Sequence, residues 1–259
     1  MSQQDSGVDC KVLITGSSSG IGRATAELLL ERGAMVVGIA RDHSKFAPDF
    51  NRYDPVPLDL SNLDESSSAL DRLARRHPDI DAVISNAGSG HFGQLEQFSA
   101  RQIRDDIALN LTSHLLVARS FLPVMKRRGH GDLIIMGSEA ALRGRRKGSV
   151  YCAAKFGLRG AAQALADECS RSNVRVTLVN PGFVRTPFFD SLNIEPQDTP
   201  GSALTAEALA TRLVGILDTP LETIFDEINI APPSPALKHK GKHHRDHHGQ
   251  VLSSPSGSR

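Results

Sequence analysis

The sequence predicts an α/β fold in which one doubly wound parallel sheet of about seven strands carries helices on both faces. Two patterns and a size predict it. Short β-branched apolar runs alternate with longer stretches of helical period, as they do where helices cover both sides of a parallel sheet. A glycine-rich turn lies between the first apolar run and the first helical one. The 259 residues suffice for one domain with a large core.

In chain order, Lys11–Thr15 reads as the first strand, and Ile21–Arg32 as a helix closed by Gly33. Met35–Ala40 and Pro55–Leu58 follow as strands, then Leu63–His77 as a helix and Ala82–Ser85 as the fourth strand. Ala100–Gly129 reads as one long helix ending on its own glycine, and Asp132–Met136 as a strand. Ser149–Ser170, Arg175–Val179, Thr205–Leu217 and Ile224–Ile230 complete the alternation as helix, strand, helix and strand. No internal repeat is visible. Residues 1–10 form a short polar segment, 11–231 the domain, and 232–259 a tail. That tail begins at Pro232, Pro233 and Pro235, runs through Lys and His to His248 and ends Ser-rich, so disorder is expected.

Thirty Lys+Arg against 29 Asp+Glu leave the chain nearly neutral, which argues against nucleic acid or an anionic membrane as partner and for a small molecule. Cys10, Cys152 and Cys169 are odd in number and form no CxxC pair, which fits a reducing compartment. No signal-peptide run precedes Lys11, and the later apolar stretches fall short of the ~20 residues that span a bilayer. A cytoplasmic location is expected.

The turn Thr15-Gly16-Ser17-Ser18-Ser19-Gly20-Ile21-Gly22 has the context that dinucleotide binding requires, a strand before it and a helix after. Gly16 would permit the tight turn. Gly20 would let the backbone approach a pyrophosphate, and Gly22 would let helix and strand pack closely at the positive helix N-terminus. At the end of the second strand Ala40 stands where an acid would bind a ribose 2′-hydroxyl, and Arg41 follows with a guanidinium suited to a 2′-phosphate. Arg23 can add a second charge, whereas Asp42 works against one. NADPH is therefore expected in preference to NADH.

Tyr151 and Lys155 stand four apart in a helical segment and so leave the same face, and Ser138 lies at the end of the fifth strand. A free phenol, with a pKa near ~10, is a reluctant acid, and the Lys155 ammonium is expected to favour phenolate and improve it. The Ser138 hydroxyl can hydrogen-bond a substrate oxygen as charge develops there.

With these residues the chain resembles the short-chain dehydrogenase/reductase family, in the branch marked by TG-x3-GIG and Tyr-x3-Lys, over about Lys11 to Thr186. The resemblance implies a Rossmann-like fold and an NAD(P)-dependent oxidoreductase acting on CH-OH groups. It implies that Thr15, Gly16, Gly20, Ile21 and Gly22 line the cofactor phosphates and ribose, with Ser17 and Ser19 in the same turn. Asp59 would meet the adenine amine, and Asn86-Ala87-Gly88 matches the fourth-strand motif. Asn110 would hold a water in the proton relay, Tyr151 donate the proton, and Lys155 also bind the nicotinamide ribose. Pro181, Gly182 and Thr186, with Val184 among them, match the segment that cradles the nicotinamide. Homodimers or homotetramers built through the long helices are implied too. Ser85 stands where the family often has a second Asn, and the usual Thr-Gly and Gly-Gly pairs near the C-terminus are missing.

The expected function is reversible, NADPH-dependent reduction of a hydrophobic ketone, aldehyde or 3-oxoacyl thioester. An NAD-linked alcohol dehydrogenase and a non-catalytic dinucleotide sensor acting through its tail are the alternatives. The sensor reading would be separated by truncation after Ile230, which an enzyme is expected to survive. His239, His243, His244, His247 and His248 lack the framework of a metal site, so no metal is expected. Arg143, Arg145, Arg146 and Lys147 read first as a solvated loop, and otherwise as a guide for a phosphate-bearing carrier.

Overall fold

A computed structural model describes residues 10–44, 46, 48 and 51–240. Seven parallel strands form the central sheet: β1 (Lys11–Thr15), β2 (Met35–Ala40), β3 (Tyr53–Pro57), β4 (Ala82–Ser85), β5 (Gly131–Met136), β6 (Val174–Pro181) and β7 (Glu227–Ile230). Their order is β3-β2-β1-β4-β5-β6-β7, so the winding reverses between β1 and β4. In such sheets the ligand crevice opens at this reversal, beyond the strands' C-terminal ends.

Side chains alternate across the strands, and each face acquires its own core. Leu13, Val83, Leu133 and Ile135 pack with Leu70, Phe121 and Leu158, from α2 (Leu63–Arg76), α4 (Ser113–Arg128) and α5 (Ser149–Cys169). Val12, Ile14, Ile84 and Ile134 face the other way, onto Leu29 of α1 (Gly20–Glu31) and Leu213 of α6 (Ala206–Leu217). Pro55 and Pro57 are tolerated because β3 is an edge strand.

The fold departs from several expectations, among them the third strand, which runs Tyr53–Pro57 and not Pro55–Leu58. The predicted helix Ala100–Gly129 is interrupted: α3 (Ala100–Ile107) and α4 are joined by a π-helical turn, Ala108–Thr112, which carries one residue more than α-helical spacing allows. Gly129 does end α4, in the left-handed conformation at φ 74°. By length and hydropathy the run Ala100–Arg128 is sufficient to cross a bilayer, contrary to the count of apolar stretches, yet half of that window is buried in the fold. Finally, the expected disorder does not begin at Pro232. Leu237–His239 pairs antiparallel with Ile194–Pro196, supplying the hydrogen-bond partners that composition alone does not reveal. Of the histidine cluster, His243, His244, His247 and His248 lie outside the described residues.

Candidate active site

The glycine turn caps β1 at the reversal. Gly16 has φ +69°, and a β-carbon on Gly22 would stand 2.2 Å from the Gly16 carbonyl oxygen, so neither position accepts a side chain. Ser19 precedes α1 without capping it through its side chain, and no acid lies in the first turn. The helix N-terminus is therefore open to an anion. Thr15 acts as a clasp: its hydroxyl accepts the N–H groups of Asn86 (2.8 Å) and Ala87 (2.9 Å), while the Asn86 amide donates to the Thr15 carbonyl at 2.9 Å. Ser17 is turned inward. Its N–H donates to the Ile39 carbonyl at 3.2 Å and its hydroxyl meets the Tyr53 hydroxyl at 2.9 Å, so both groups bond within the fold.

At the nucleotide end Arg41 is exposed, following buried Ala40. Asp42 accepts the Ser44 N–H (2.7 Å) and hydroxyl (2.9 Å), which engages the acid that opposed a phosphate. Arg23 pairs with Glu27 at 2.9 Å and lies over the Phe46 ring. Burial raises the Asp59 carboxyl, but hydrogen bonds from Ser61 and the Arg41 charge outweigh it and hold the group below its ordinary value.

The other end is a cleft of about 490 Å³. It brings together Asn86, Gly88, Asn110, Ser138, Tyr151 and Lys155 with Ile21, Pro181, Gly182, Val184 and Thr186. Thr15, Gly16, Ser17, Ser19, Gly20, Gly22, Arg41, Asp59 and Ala87 are not in its wall. The π turn positions Asn110, whose amide donates to the Asp106 carbonyl (3.0 Å) and accepts the Ser89 N–H (3.2 Å). A β-carbon on Gly88 would stand 3.0 Å from Asn110 Oδ1 and 3.9 Å from Lys155 Nζ, a measure of how closely the two groups converge. Lys155 is buried, and its ammonium donates to the Met136 carbonyl at 2.9 Å.

Burial pushes the Tyr151 phenol up to about 12, against the lowering effect of its hydrogen bond with Ser138, and the Cys152 thiol adds to the rise. Burial brings Lys155 down to about 8, and the ammonium lies 5.8 Å from the Tyr151 ring centroid. The phenol therefore holds its proton at neutral pH, as a donor must. Phe92 and Phe188 flank it, with ring centroids at 5.4 and 6.0 Å.

The decisive comparison is that the family model for short chain dehydrogenase matches residues 11–197. The chain belongs to the short-chain dehydrogenase family. Sepiapterin reductase of Chlorobaculum tepidum is 28% identical to this short-chain dehydrogenase over 244 residues, covering 86% of the chain and 96% of the relative. A 3-oxoacyl-(acyl-carrier-protein) reductase of Escherichia coli is 31% identical over 207 residues, 78% of this chain and 83% of the relative. An alcohol dehydrogenase of the archaeon Thermococcus sibiricus, complexed with 5-hydroxy-NADP, aligns at TM-score 0.77 and 25% identity, covering 88% of this chain and 98% of that one.

As a short-chain dehydrogenase the protein is an oxidoreductase using a nicotinamide dinucleotide. The residues fit that group: Gly16, Gly20 and Gly22 sit in tight positions of the turn before α1, the α1 N-terminus carries neither a side-chain cap nor a first-turn acid, and Ile21 at its start shares the cleft wall with Tyr151 and Lys155.

Two buried residues of this dehydrogenase were missed by sequence reasoning. Asn180, at the end of β6, accepts the Ser138 N–H at 3.1 Å and donates to Glu227 (2.7 Å) and Asn229 (3.0 Å), fixing the strand end that presents Ser138. Its place directly before Pro181-Gly182 was the available signal. His114 follows Asn110 by one helical turn, and its Nδ1 lies 2.7 Å from the hydroxyl of Ser85, the very position where the family often has Asn. Burial first, and the Lys155 charge second, press His114 down to about 3, so it is neutral.

Proposed function

We propose that the protein is an NADPH-dependent carbonyl reductase, reversible as an alcohol dehydrogenase, acting on a hydrophobic ketone, aldehyde or 3-oxoacyl thioester. The observation that carries this reading is the convergence of a protonated Tyr151, Lys155, Ser138 and Asn110 on one cleft at the sheet's reversal, beneath Phe92, Phe188 and Phe189. The reductases among the relatives support it.

The glycine turn and the α1 N-terminus would hold the pyrophosphate, and Arg41 a 2′-phosphate. Pro181, Gly182, Val184 and Thr186 would hold the nicotinamide end. When bound, the reduced nicotinamide supplies the hydride to the carbonyl carbon. Ser138 hydrogen-bonds the substrate oxygen, and Tyr151 gives that oxygen its phenolic proton, so the carbonyl becomes an alcohol. Lys155 stabilises the phenolate left behind, and Asn110 holds the water from which the phenol is reprotonated. We place the enzyme in the cytoplasm as a homodimer or homotetramer pairing through α4 and α5, where Leu115 and Phe156 are exposed.

The test is nicotinamide oxidation, followed by absorbance, across ketones, aldehydes and 3-oxoacyl thioesters with NADPH and NADH. Turnover with NADPH and a fall of at least about tenfold in the NADPH/NADH ratio of kcat/KM in Arg41→Ala are expected. Preference of the parent protein for NADH over NADPH would favour the NAD-linked alcohol dehydrogenase. Failure to bind either would overturn the reading.

A further inference from the structure

The cleft wall opposite the β1–β4 reversal is made by chain from beyond the central sheet. After β7 the backbone crosses to residues 187–202, the segment that carries Phe188, Phe189 and Ile194 into the cleft. It is attached there along its whole course. The Ser234 N–H donates to the Gly201 carbonyl at 3.0 Å, and the Gln197 N–H to the Ala236 carbonyl at 3.0 Å. The Gln197 side-chain amide reaches the Leu237 carbonyl at 3.2 Å. Leu237 then pairs with Pro196, and His239 with Ile194. Lys238 bridges Asp198 and Glu195. The Lys240 N–H reaches the Asn193 carbonyl at 3.0 Å, and its ammonium donates to the carbonyls of Phe189 (2.6 Å) and Asp190 (3.0 Å).

A segment fastened at so many points is a strap, and one side chain from it, Leu237, stands in the cleft wall. We propose that residues 232–240 hold residues 187–202 over the cleft, and that Leu237 limits the length of apolar substrate the cleft accepts. The inference rests on the carbonyl-reductase reading for its substrate class, and on geometry alone for the strap. Leu237 lies in the same wall as Ile194, Phe188 and Phe189, with no charged side chain of the strap among them. The part of the ligand it would meet is thus apolar, an alkyl or acyl chain attached to the reacting carbonyl. Truncation after Ile230 would remove this wall, so such a variant does not separate an enzyme from a tail-driven sensor.

The full-length protein, Leu237→Ala and Leu237→Trp are compared on 2-alkanones and 3-oxoacyl thioesters of increasing chain length with NADPH. Because a methylene in an apolar pocket changes discrimination by about tenfold or more, Leu237→Ala should raise the long-to-short ratio of kcat/KM by at least about tenfold. Leu237→Trp should lower it as much, with NADPH affinity unchanged in both. The same chain-length profile in all three proteins overturns the role of Leu237. The strap is tested separately by hydrogen exchange with Lys240→Met. The Gln197 amide should exchange at least about tenfold faster than in the parent, and equal protection would overturn the fastening. Absence of turnover by the parent protein on every substrate would sink the reductase reading, and the exchange result would still decide the strap.

Discussion

The phenol at the centre of the cleft is a strong base once deprotonated, because burial that raises it to about 12 also resists phenolate. A substrate alkoxide is more basic still, so the proton moves to it when hydride arrives. Tyr151→Phe is expected to lower turnover by about 10²–10⁴-fold while nucleotide affinity, read by fluorescence titration, stays nearly constant. Loss of nucleotide binding would contradict the acid role. Lys155, brought down to about 8, keeps its charge at neutral pH and loses it on mild alkalinisation. Carbonyl reduction should therefore decline as pH rises through about 8, and the residual rate of Lys155→Met should lack that limb. The stability effect has the opposite sense: burying the charged form destabilises the fold below about 8, and relief comes as pH rises toward the ordinary lysine value.

At the level of elements, the π turn decides where Asn110 stands. An α-helix turns about 100° per residue, so the extra residue in Ala108–Thr112 rotates α4 relative to α3. Deleting Leu111 should restore regular spacing, preserve the far-UV circular dichroism and lower turnover by at least about tenfold; full activity would show that the turn does not aim Asn110. The hydrophobic periods of α3 and α4 each fit a helix, and nothing in Ala-Leu-Asn-Leu-Thr announces an insertion, which is why one helix was expected. The β1 and β2 bounds were legible because apolar β-branched runs end at turn residues on both sides. β7 was drawn too long, since Ile224 and Phe225 are apolar yet exposed. Tyr151 and Lys155 were legible by spacing, Ser138 by its place at a strand end and Asn110 only through the family resemblance, whereas the Ser85–His114 pair depends on two segments 29 residues apart meeting in space. Leu237 sits amid Pro, Lys and His, and its partners Ile194–Pro196 lie far back in the chain.

Across the molecule, one ion pair joins what the helices leave separate. Arg175 on β6 grips Asp132 on β5 through two bonds of 2.6 and 2.9 Å, and also donates to the carbonyls of Thr219 and Pro220 beyond α6. Both side chains are largely buried, at 7% and 15% exposure, so removing one partner strands the other. Arg175→Met should cost about 3–5 kcal/mol in denaturant unfolding, and Arg175→Met/Asp132→Leu should recover most of it. A loss below about 1 kcal/mol would place the pair among weak surface bridges.

The Thr15 clasp carries a consequence for how the chain reaches this state. It joins groups 71 and 72 residues apart, and every strand pairing in the sheet is parallel and therefore non-local. Closing such loops precedes any reward from the contacts they make, which slows folding. During refolding from denaturant, helical ellipticity should return first and nucleotide-dependent fluorescence later, because the crevice exists only after the two halves of the sheet have met. Simultaneous return of both signals would mean that the halves assemble as they form.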